Sequence, residues 1–497
     1  MSGFGGPQAG SRQANRAPVR RRRAVKPFSP GRSGRFRFAF SLGRVLERVL
    51  HPTQVLILSF GLTIAVGTAL LMLPWASTKG TLGFVNALFT ATSATCVTGL
   101  AVVDTGTQLS LFGQCVVLAL IQLGGLGIMT YSSVFLLIAG GRLSFRGRLI
   151  VHETLGRKKG QLSVRRLVRD VFAYTFLIEG VGALALTAVF SRTRPPLEAL
   201  AHGAFHSVSA FCNAGFSLYA TSFMEYRGDW LLNWTVMLLI VLGGTGFIVL
   251  EDLFDAWRAR RAGRSFHLSL HSKVVLAATG VLILAGALAI WAFERGNALA
   301  PLPWHEAALA SLFQSITART AGFNTLDYAT LTSTTLFFTI LLMFVGASPG
   351  SCGGGIKTTT FSVVLALFRD RLLARDRVRL FRRVLPDELV ARSVALLVAS
   401  FVFITALVLV LSGLEIGAVP YSDRRDAFLG LFFEAVSAFG TVGLSTGVTA
   451  ALSPAGKLLI TLAMFVGRLG PLTMVVAISR KSGAEDFQYA EEGLMVG

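Results

Sequence analysis

Charge is scarce in this chain. Asp, Glu, Lys and Arg make up 15% of its 497 residues, where a soluble domain carries about 25%, and the mean hydropathy is +0.63. This excludes an ordinary soluble domain and implies a polytopic membrane protein. Acids are scarcer than bases, 26 against 47, for a net charge of +21. That excess does not form a nucleic-acid patch. It lies in loops between apolar runs, the topology signal of cytoplasmic loops, so nucleic acid is not an expected partner. The four cysteines, Cys96, Cys115, Cys212 and Cys352, show no CxxC spacing, so neither a disulfide framework nor a zinc site is indicated. Histidines number only seven, and there is no HExxH, Asp-rich pair or membrane Ser/His set of the kind an intramembrane enzyme needs. No Rossmann glycine fingerprint occurs. The N-terminus lacks the apolar core and small-residue cleavage site of a signal peptide.

That N-terminus, residues 1–50, is instead a basic tail. Arg20 to Arg23 form a solid run, and Glu47 is the segment's one acid. Gly, Pro and Ser fill the gaps to about Arg35. This composition predicts a disordered cytoplasmic tail near anionic lipid, with a short interfacial helix from about Phe36 to Leu50.

A spanning helix needs about 20 mostly apolar residues. Eight segments qualify: 54–73, 111–138, 171–190, 231–250, 274–293, 333–347 continuing through a break to 361–368, 393–412 and 457–478. Within each pair lies a shorter apolar stretch, at 84–94, 200–211, 305–317 and 427–437. These are too short to span, and irregular backbone at membrane depth is tolerated only where it is buried or lines a cavity. They read as re-entrant helices. The expected units are repeat 1 at 51–140, repeat 2 at 141–257, repeat 3 at 258–368 and repeat 4 at 369–480, with a C-terminal tail at 481–497. The basic loops 142–169, 258–273 and 369–392 all fall between repeats. By the positive-inside rule they are cytoplasmic, which puts both termini inside the cell membrane and brings the re-entrant segments in from outside.

Each re-entrant stretch ends in one small phrase: Val97-Thr98-Gly99, Asn213-Ala214-Gly215, Thr320-Ala321-Gly322 and Thr441-Val442-Gly443. The fourth matches the start of the potassium-channel filter TVGYG, whose carbonyls replace the ion's hydration shell. Glycine supplies the dihedrals that let successive carbonyls face one axis. A lone triplet of this kind is an ordinary turn; four at near-regular intervals predict a selectivity filter of pseudo-four-fold symmetry. Potassium would be held at Thr98, Gly99, Ala214, Gly215, Ala321, Gly322, Val442 and Gly443, with one good site at the glycine level. Arg319, just before the third triplet, is expected to point behind the filter. Asp104, Glu306 and Glu434 near the outer mouth would attract cations, while His202 and His206 read as hydrogen-bonding or packing residues.

The second helices share the phrases Gly124-Gly125-Leu126-Gly127, Gly243-Gly244-Thr245-Gly246, Gly346 to Gly350 and Gly467-Arg468-Leu469-Gly470. In the first two, close helix packing accounts for the small residues. The third continues through Gly353, Gly354 and Gly355 to Lys357 and cannot be a continuous helix at ordinary cost. Gly346, Gly350, Gly353, Gly354, Gly355 and Lys357 are therefore candidate gate residues in a segment that would obstruct a pore. A phosphate-binding loop competes, but Ile356 separates Gly355 from Lys357 and no strand precedes it. Arg468 sits mid-span, where charge is costly and usually functional. It would repel cations, hydrogen-bond the gate carbonyls, or pair with an acid such as Glu179. For Lys357 the plain reading is snorkelling toward the cytoplasm.

These phrases together, from Thr92 to Leu100, Phe205 to Phe216, Thr317 to Thr325 and Ala435 to Leu444, resemble those of the Trk/Ktr/HKT superfamily of cation transporters, most closely its KtrB-type membrane subunit. The resemblance covers roughly residues 50–480. It implies an all-α polytopic membrane protein with four helix–re-entrant pore helix–helix repeats around one pore. It also implies a gate loop in the third repeat and the Arg468 position below the filter. Glycine at all four filter positions goes with potassium preference in that family, and serine in the first loop with sodium permeation; Gly99 favours potassium. The family further implies a homodimer, sodium as a candidate co-ion, and a cytoplasmic RCK-type ring that carries the nucleotide as a separate subunit. The expected function is selective potassium uptake, with a less selective sodium/potassium transporter as the alternative. No enzyme activity is expected. The basic tail is a candidate docking segment for the ring or for membrane lipid, and Leu494 to Gly497 for a subunit interface.

Overall fold

The computed structural model describes Gly3 and residues 52–142, 164–417, 419–420 and 427–470. The basic tail, most of the 142–169 loop and the chain beyond Gly470 lie outside the described residues, and with them the expectations placed there.

Four helix–short helix–helix units follow one another. The first contains α1 (Pro52–Leu71), α2 (Phe84–Thr95) and α3 (Leu111–Arg142). The second contains α4 (Val164–Phe190), α5 (Pro196–Phe211), α6 (Trp230–Thr245) and α7 (Phe247–Arg261). The third contains α8 (Leu270–Glu294), α9 (Trp304–Thr317), α10 (Ser333–Phe344) and α11 (Thr358–Leu372). A small hairpin, β1 (Arg379–Leu380) with β2 (Arg383–Val384), leads to α12 (Asp387–Glu415), α13 (Ala427–Gly440), α14 (Val448–Ala451) and α15 (Pro454–Leu469). The expected helical architecture therefore holds. The connection around 369–392 differs from a plain loop, because Arg369 and Arg371 extend α11 and the hairpin occupies its middle.

The first helix of each unit is long and apolar, and its outward face is apolar too. Leu58, Leu62 and Val66 on α1, Leu177, Val181 and Leu184 on α4, and Val281, Leu284 and Leu288 on α8 are all more than half exposed. A soluble protein hides such a face, whereas lipid does not require it. These spacings of three and four residues make one stripe on each helix.

The short helices α2, α5, α9 and α13 have 12, 16, 14 and 14 residues. At about 1.5 Å per residue they are too short to cross a core of about 30 Å. They are buried along their C-terminal halves. Each is flanked by the second helix of the preceding unit: α3 packs on α5, α6 on α9, α10 on α13, and α15 returns to α2. This rotation closes the four units into a ring.

Glycine lets those neighbours approach. An added Cβ on Gly124 would strike the Thr95 carbonyl at the end of α2, one on Gly243 the Phe211 carbonyl of α5, and one on Gly467 the Phe439 carbonyl of α13. The span expected at 231–250 is not continuous, however. It breaks at Gly246, where φ is +94°, and α7 leaves α6 at 104°. In the last unit α15 reaches Leu469, with Gly470 at φ +87°; the rest of the span expected to 478 lies outside the described residues. At the Gly246 break the freed Phe247 amide donates to the Gly350 carbonyl at 3.1 Å, so a bond to another unit replaces the lost helical one.

Candidate functional site

All four triplets adopt one backbone pattern. Their first residues Val97, Asn213, Thr320 and Thr441 have φ of +57°, +59°, +73° and +49°, and their glycines Gly99, Gly215, Gly322 and Gly443 have +92°, +69°, +81° and +90°. The central residues Thr98, Ala214, Ala321 and Val442 do not. Alternating hand turns successive carbonyls toward one side of the chain, the arrangement that replaces a cation's water. A non-glycine residue in the left-handed region costs roughly 1–2 kcal/mol. Four such residues at matching positions, two of them β-branched threonines and one a valine, mark a conformation the surroundings enforce.

The triplets meet in a closed cycle. A Cβ on Gly99 would strike the Ala214 carbonyl, one on Gly215 would lie 2.7 Å from that of Ala321, one on Gly322 2.6 Å from that of Val442, and one on Gly443 would strike that of Thr98. Each glycine therefore leaves room for a carbonyl of the next loop, and the fourth loop returns to the first. All four glycines open on one cavity of about 390 Å³. The C-termini of α2, α5, α9 and α13 lead directly into the triplets, so the negative ends of four helix dipoles converge on the same place, which favours a cation.

Hydroxyls behind the ring hold it, and the sequence analysis passed over them. Ser93 accepts from the Gly99 amide at 3.1 Å and donates to the Leu100 carbonyl at 2.7 Å. Ser209 donates to Phe216 at 2.8 Å, Thr317 to Phe323 at 2.6 Å, and Ser437 accepts from the Gly443 amide at 3.1 Å. The signal was present: a serine stands six positions before the glycine in three of the four phrases.

A second set of polar groups fastens the chain that follows the triplets. His206 Nε2 bonds Ser217 Oγ at 3.1 Å, Gln314 bonds Thr325 Oγ1 at 3.2 Å, and Ser445 Oγ donates to Glu434 at 2.6 Å, each pair eleven residues apart. Glu434 also accepts from Thr446 N at 3.0 Å and Thr449 Oγ1 at 2.5 Å and is fully buried. It is an anchor inside the protein, not a lure at the mouth. Glu306 lies 3.9 Å from Arg227. Asp104 lines the cavity, its carboxylate accepting from the Gly106 and Thr107 amides at 2.9 and 2.8 Å. Arg319 is buried among Ile240, Thr245, Thr279 and Ile283, behind the ring.

The glycine-rich segment between α10 and α11 lies against the inner side of the triplets. A Cβ on Gly353 would strike the Thr320 hydroxyl and one on Gly354 that of Thr441, and the Gly354 amide donates to Thr441 Oγ1 at 3.0 Å. The second, third and fourth units hold it. Ser348 and Cys352 amides donate to the Gly244 and Gly243 carbonyls, both at 3.1 Å, and Gly346 to Ile356 at 2.9 Å. Gly350 and Gly355 have φ of +73° and +67°. Arg468 donates to the Cys352 carbonyl and, at 2.8 Å, to that of Gly124. It does not pair with Glu179, which receives the Gln122 amide at 3.2 Å. Lys357 does not snorkel: its Nζ turns back to the Gly353 carbonyl at 2.7 Å, because the broken helix leaves that carbonyl without a helical partner.

A ring of carbonyls at the ends of four short helices, set among long helices with apolar outer faces, defines a membrane protein whose four units converge on one cavity. A cation transport protein family model, TrkH, matches residues 35–487. The chain belongs to this TrkH family of cation transport proteins. It is 40% identical to the Ktr system potassium uptake protein B of Bacillus subtilis over 90% of this chain and 97% of that protein. Its likeness to the Ktr system potassium uptake protein B of Vibrio alginolyticus is 37% over 89% and 94%. The solved potassium transporter TrkH from Vibrio parahaemolyticus shares the fold at a TM-score of 0.65, with 16% identity, 86% of this chain and 84% of that one covered.

Proposed function

We propose that this chain is the ion-translocating subunit of a potassium-uptake system, carrying potassium selectively through a gated, channel-like pore driven by the membrane potential. The observation that carries the reading is the closed cycle of four left-handed glycine triplets. Thr98, Gly99, Ala214, Gly215, Ala321, Gly322, Val442 and Gly443 supply the carbonyls. Potassium is the cargo, and the similarity to potassium uptake proteins B supports that choice over sodium. The segment Gly346 to Lys357 is the gate and Arg468 its latch. Both termini are cytoplasmic, the working form is a homodimer, and a separate nucleotide-binding ring of RCK type moves the gate. The basic tail docks that ring or anionic lipid.

Tracer uptake into liposomes tests the reading. Wild type should take up potassium, with unlabelled potassium but not sodium competing, and Gly99→Ser should lose the discrimination. Equal competition by sodium in wild type would instead identify a less selective sodium/potassium transporter. Deleting Gly350 to Gly355 should raise the leak; a pore that stays equally closed would remove the gate from the proposal.

A further inference from the structure

Two thiols meet where the glycine-rich segment touches the second triplet. Cys212 ends α5 and directly precedes Asn213. Cys352 stands in the middle of the glycine-rich segment, its amide bonded to Gly243 and its carbonyl to Arg468. Both are fully buried thiols outside any disulfide. Their sulfurs lie over Gly125 of α3, at 2.7 and 3.6 Å from the point a Cβ there would occupy. The missing side chain of Gly125 is what leaves them room.

Polar groups border the pair, with the Arg468 guanidinium on the Cys352 carbonyl. The Cys212 thiol also reaches the Glu179 carboxylate at 3.8 Å, a local acceptor for its proton. Neither thiol has a part in ion coordination, which uses backbone carbonyls. They stand 140 positions apart, which hides the pairing from any spacing rule.

We infer that Cys212 and Cys352 form an oxidant-sensitive dithiol whose disulfide ties the glycine-rich segment to the second filter loop and holds the pore shut. The oxidant is a small neutral hydroperoxide such as hydrogen peroxide, which travels where water travels. The Cys212 sulfur attacks one peroxide oxygen and the O–O bond breaks. The departing hydroxide leaves as water with the thiol proton, and Cys212 becomes a sulfenic acid. The Cys352 sulfur then displaces the sulfenic oxygen, which leaves as a second water with the Cys352 proton, and the S–S bond forms. Two thiols are oxidised and one peroxide is reduced to two waters. A thiol reductant reverses the step by exchange.

The inference rests on the gate reading, and its test separates the two. The full-length protein in potassium-loaded liposomes is treated with hydrogen peroxide, alkylated under denaturing conditions, digested and analysed by mass spectrometry. Tracer uptake is followed in parallel. Wild type should yield a peptide linked through Cys212 and Cys352 and lose uptake, and dithiothreitol should restore it. Cys352→Ser and Cys212→Ala should keep their uptake under peroxide, while Cys115→Ser, altered at an exposed thiol, should behave as wild type. Quantitative alkylation of both thiols in peroxide-treated wild type would overturn the inference. So would a linked protein with undiminished uptake. The linkage is read on wild type whether or not it conducts, so a preparation silent from the start counts against the transport reading and leaves the linkage measurement decisive here.

Discussion

The guanidinium of Arg468 donates to the carbonyl of Cys352, so the last helix of the fourth unit grips the middle of the glycine-rich segment of the third. Its other arm reaches the Gly124 carbonyl of the first unit. One side chain thus bridges three units directly beneath the carbonyl ring. Charge at that depth is costly, and here it is shared between the Cys352 carbonyl of the glycine-rich segment and the Gly124 carbonyl of α3.

Removing this bridge should loosen the segment. Hydrogen bonds to charged groups contribute about 1.5–3 kcal/mol each, so losing the bond to Cys352 shifts an open–closed equilibrium by roughly tenfold to a hundredfold. Arg468→Gln is expected to raise basal potassium uptake in liposomes. An unchanged rate with the protein intact would show that Arg468 does not restrain the segment.

Gly322 should tolerate no side chain. Alanine there places a methyl 2.6 Å from the Val442 carbonyl at φ +81°, with a backbone cost of about 1–3 kcal/mol. Gly322→Ala should abolish uptake and lower the melting temperature in detergent. Gly61→Ala on α1, where an added Cβ meets nothing within 4 Å, should change neither.

Glu434 should matter for stability and selectivity together. Glu434→Ala strands the Ser445 and Thr449 hydroxyls and the Thr446 amide, at about 1–3 kcal/mol for each buried group left unpaired. The melting temperature should drop by several degrees, and potassium should lose ground to sodium as the chain behind the fourth triplet loosens. Glu434→Gln keeps the shape and should fall between. A Glu434→Ala protein as stable as wild type would contradict the anchoring role.

Asp370 lies past the apolar stretch of α11, at the hairpin. The Arg379 amide donates to it at 2.7 Å, and Arg369 and Arg375 face it. These partners, the amide first, hold its carboxyl below the usual range. The sign follows: a carboxyl with a lowered pKa in the folded state stabilises at neutral pH, and the contribution fades as pH falls below about 4. The difference in melting temperature between wild type and Asp370→Asn should be largest near pH 7 and shrink toward pH 3. A difference independent of pH would remove the charge from the explanation.

Much of the architecture is legible in the chain because lipid imposes simple rules. The re-entrant stretch expected at 84–94 is α2, Phe84–Thr95, and the one expected at 305–317 is α9, Trp304–Thr317. Apolar length separates them from spanning helices without any knowledge of neighbours. The four triplets could likewise be found by repetition. The break at Gly246 could not, because glycine inside an apolar run fits packing as well as rupture. At Gly246 rupture wins because the Gly350 carbonyl waits for the Phe247 amide. Glu434 looked like a charge at a mouth because its partners lie eleven or more residues further on.

The sequence by itself determined the membrane environment, the helical units, their order and the four places where glycine must stand. Those follow from local free energies: hydrocarbon demands apolar length and satisfied backbone, and a left-handed turn admits glycine most cheaply. Only the tertiary structure decided which carbonyl each glycine makes room for, where Arg468 and Lys357 point, and that Cys212 and Cys352 share one site. Those depend on which surfaces meet once the four units close into a ring, and backbone donors and acceptors, alike in every residue, acquire distinct partners only there.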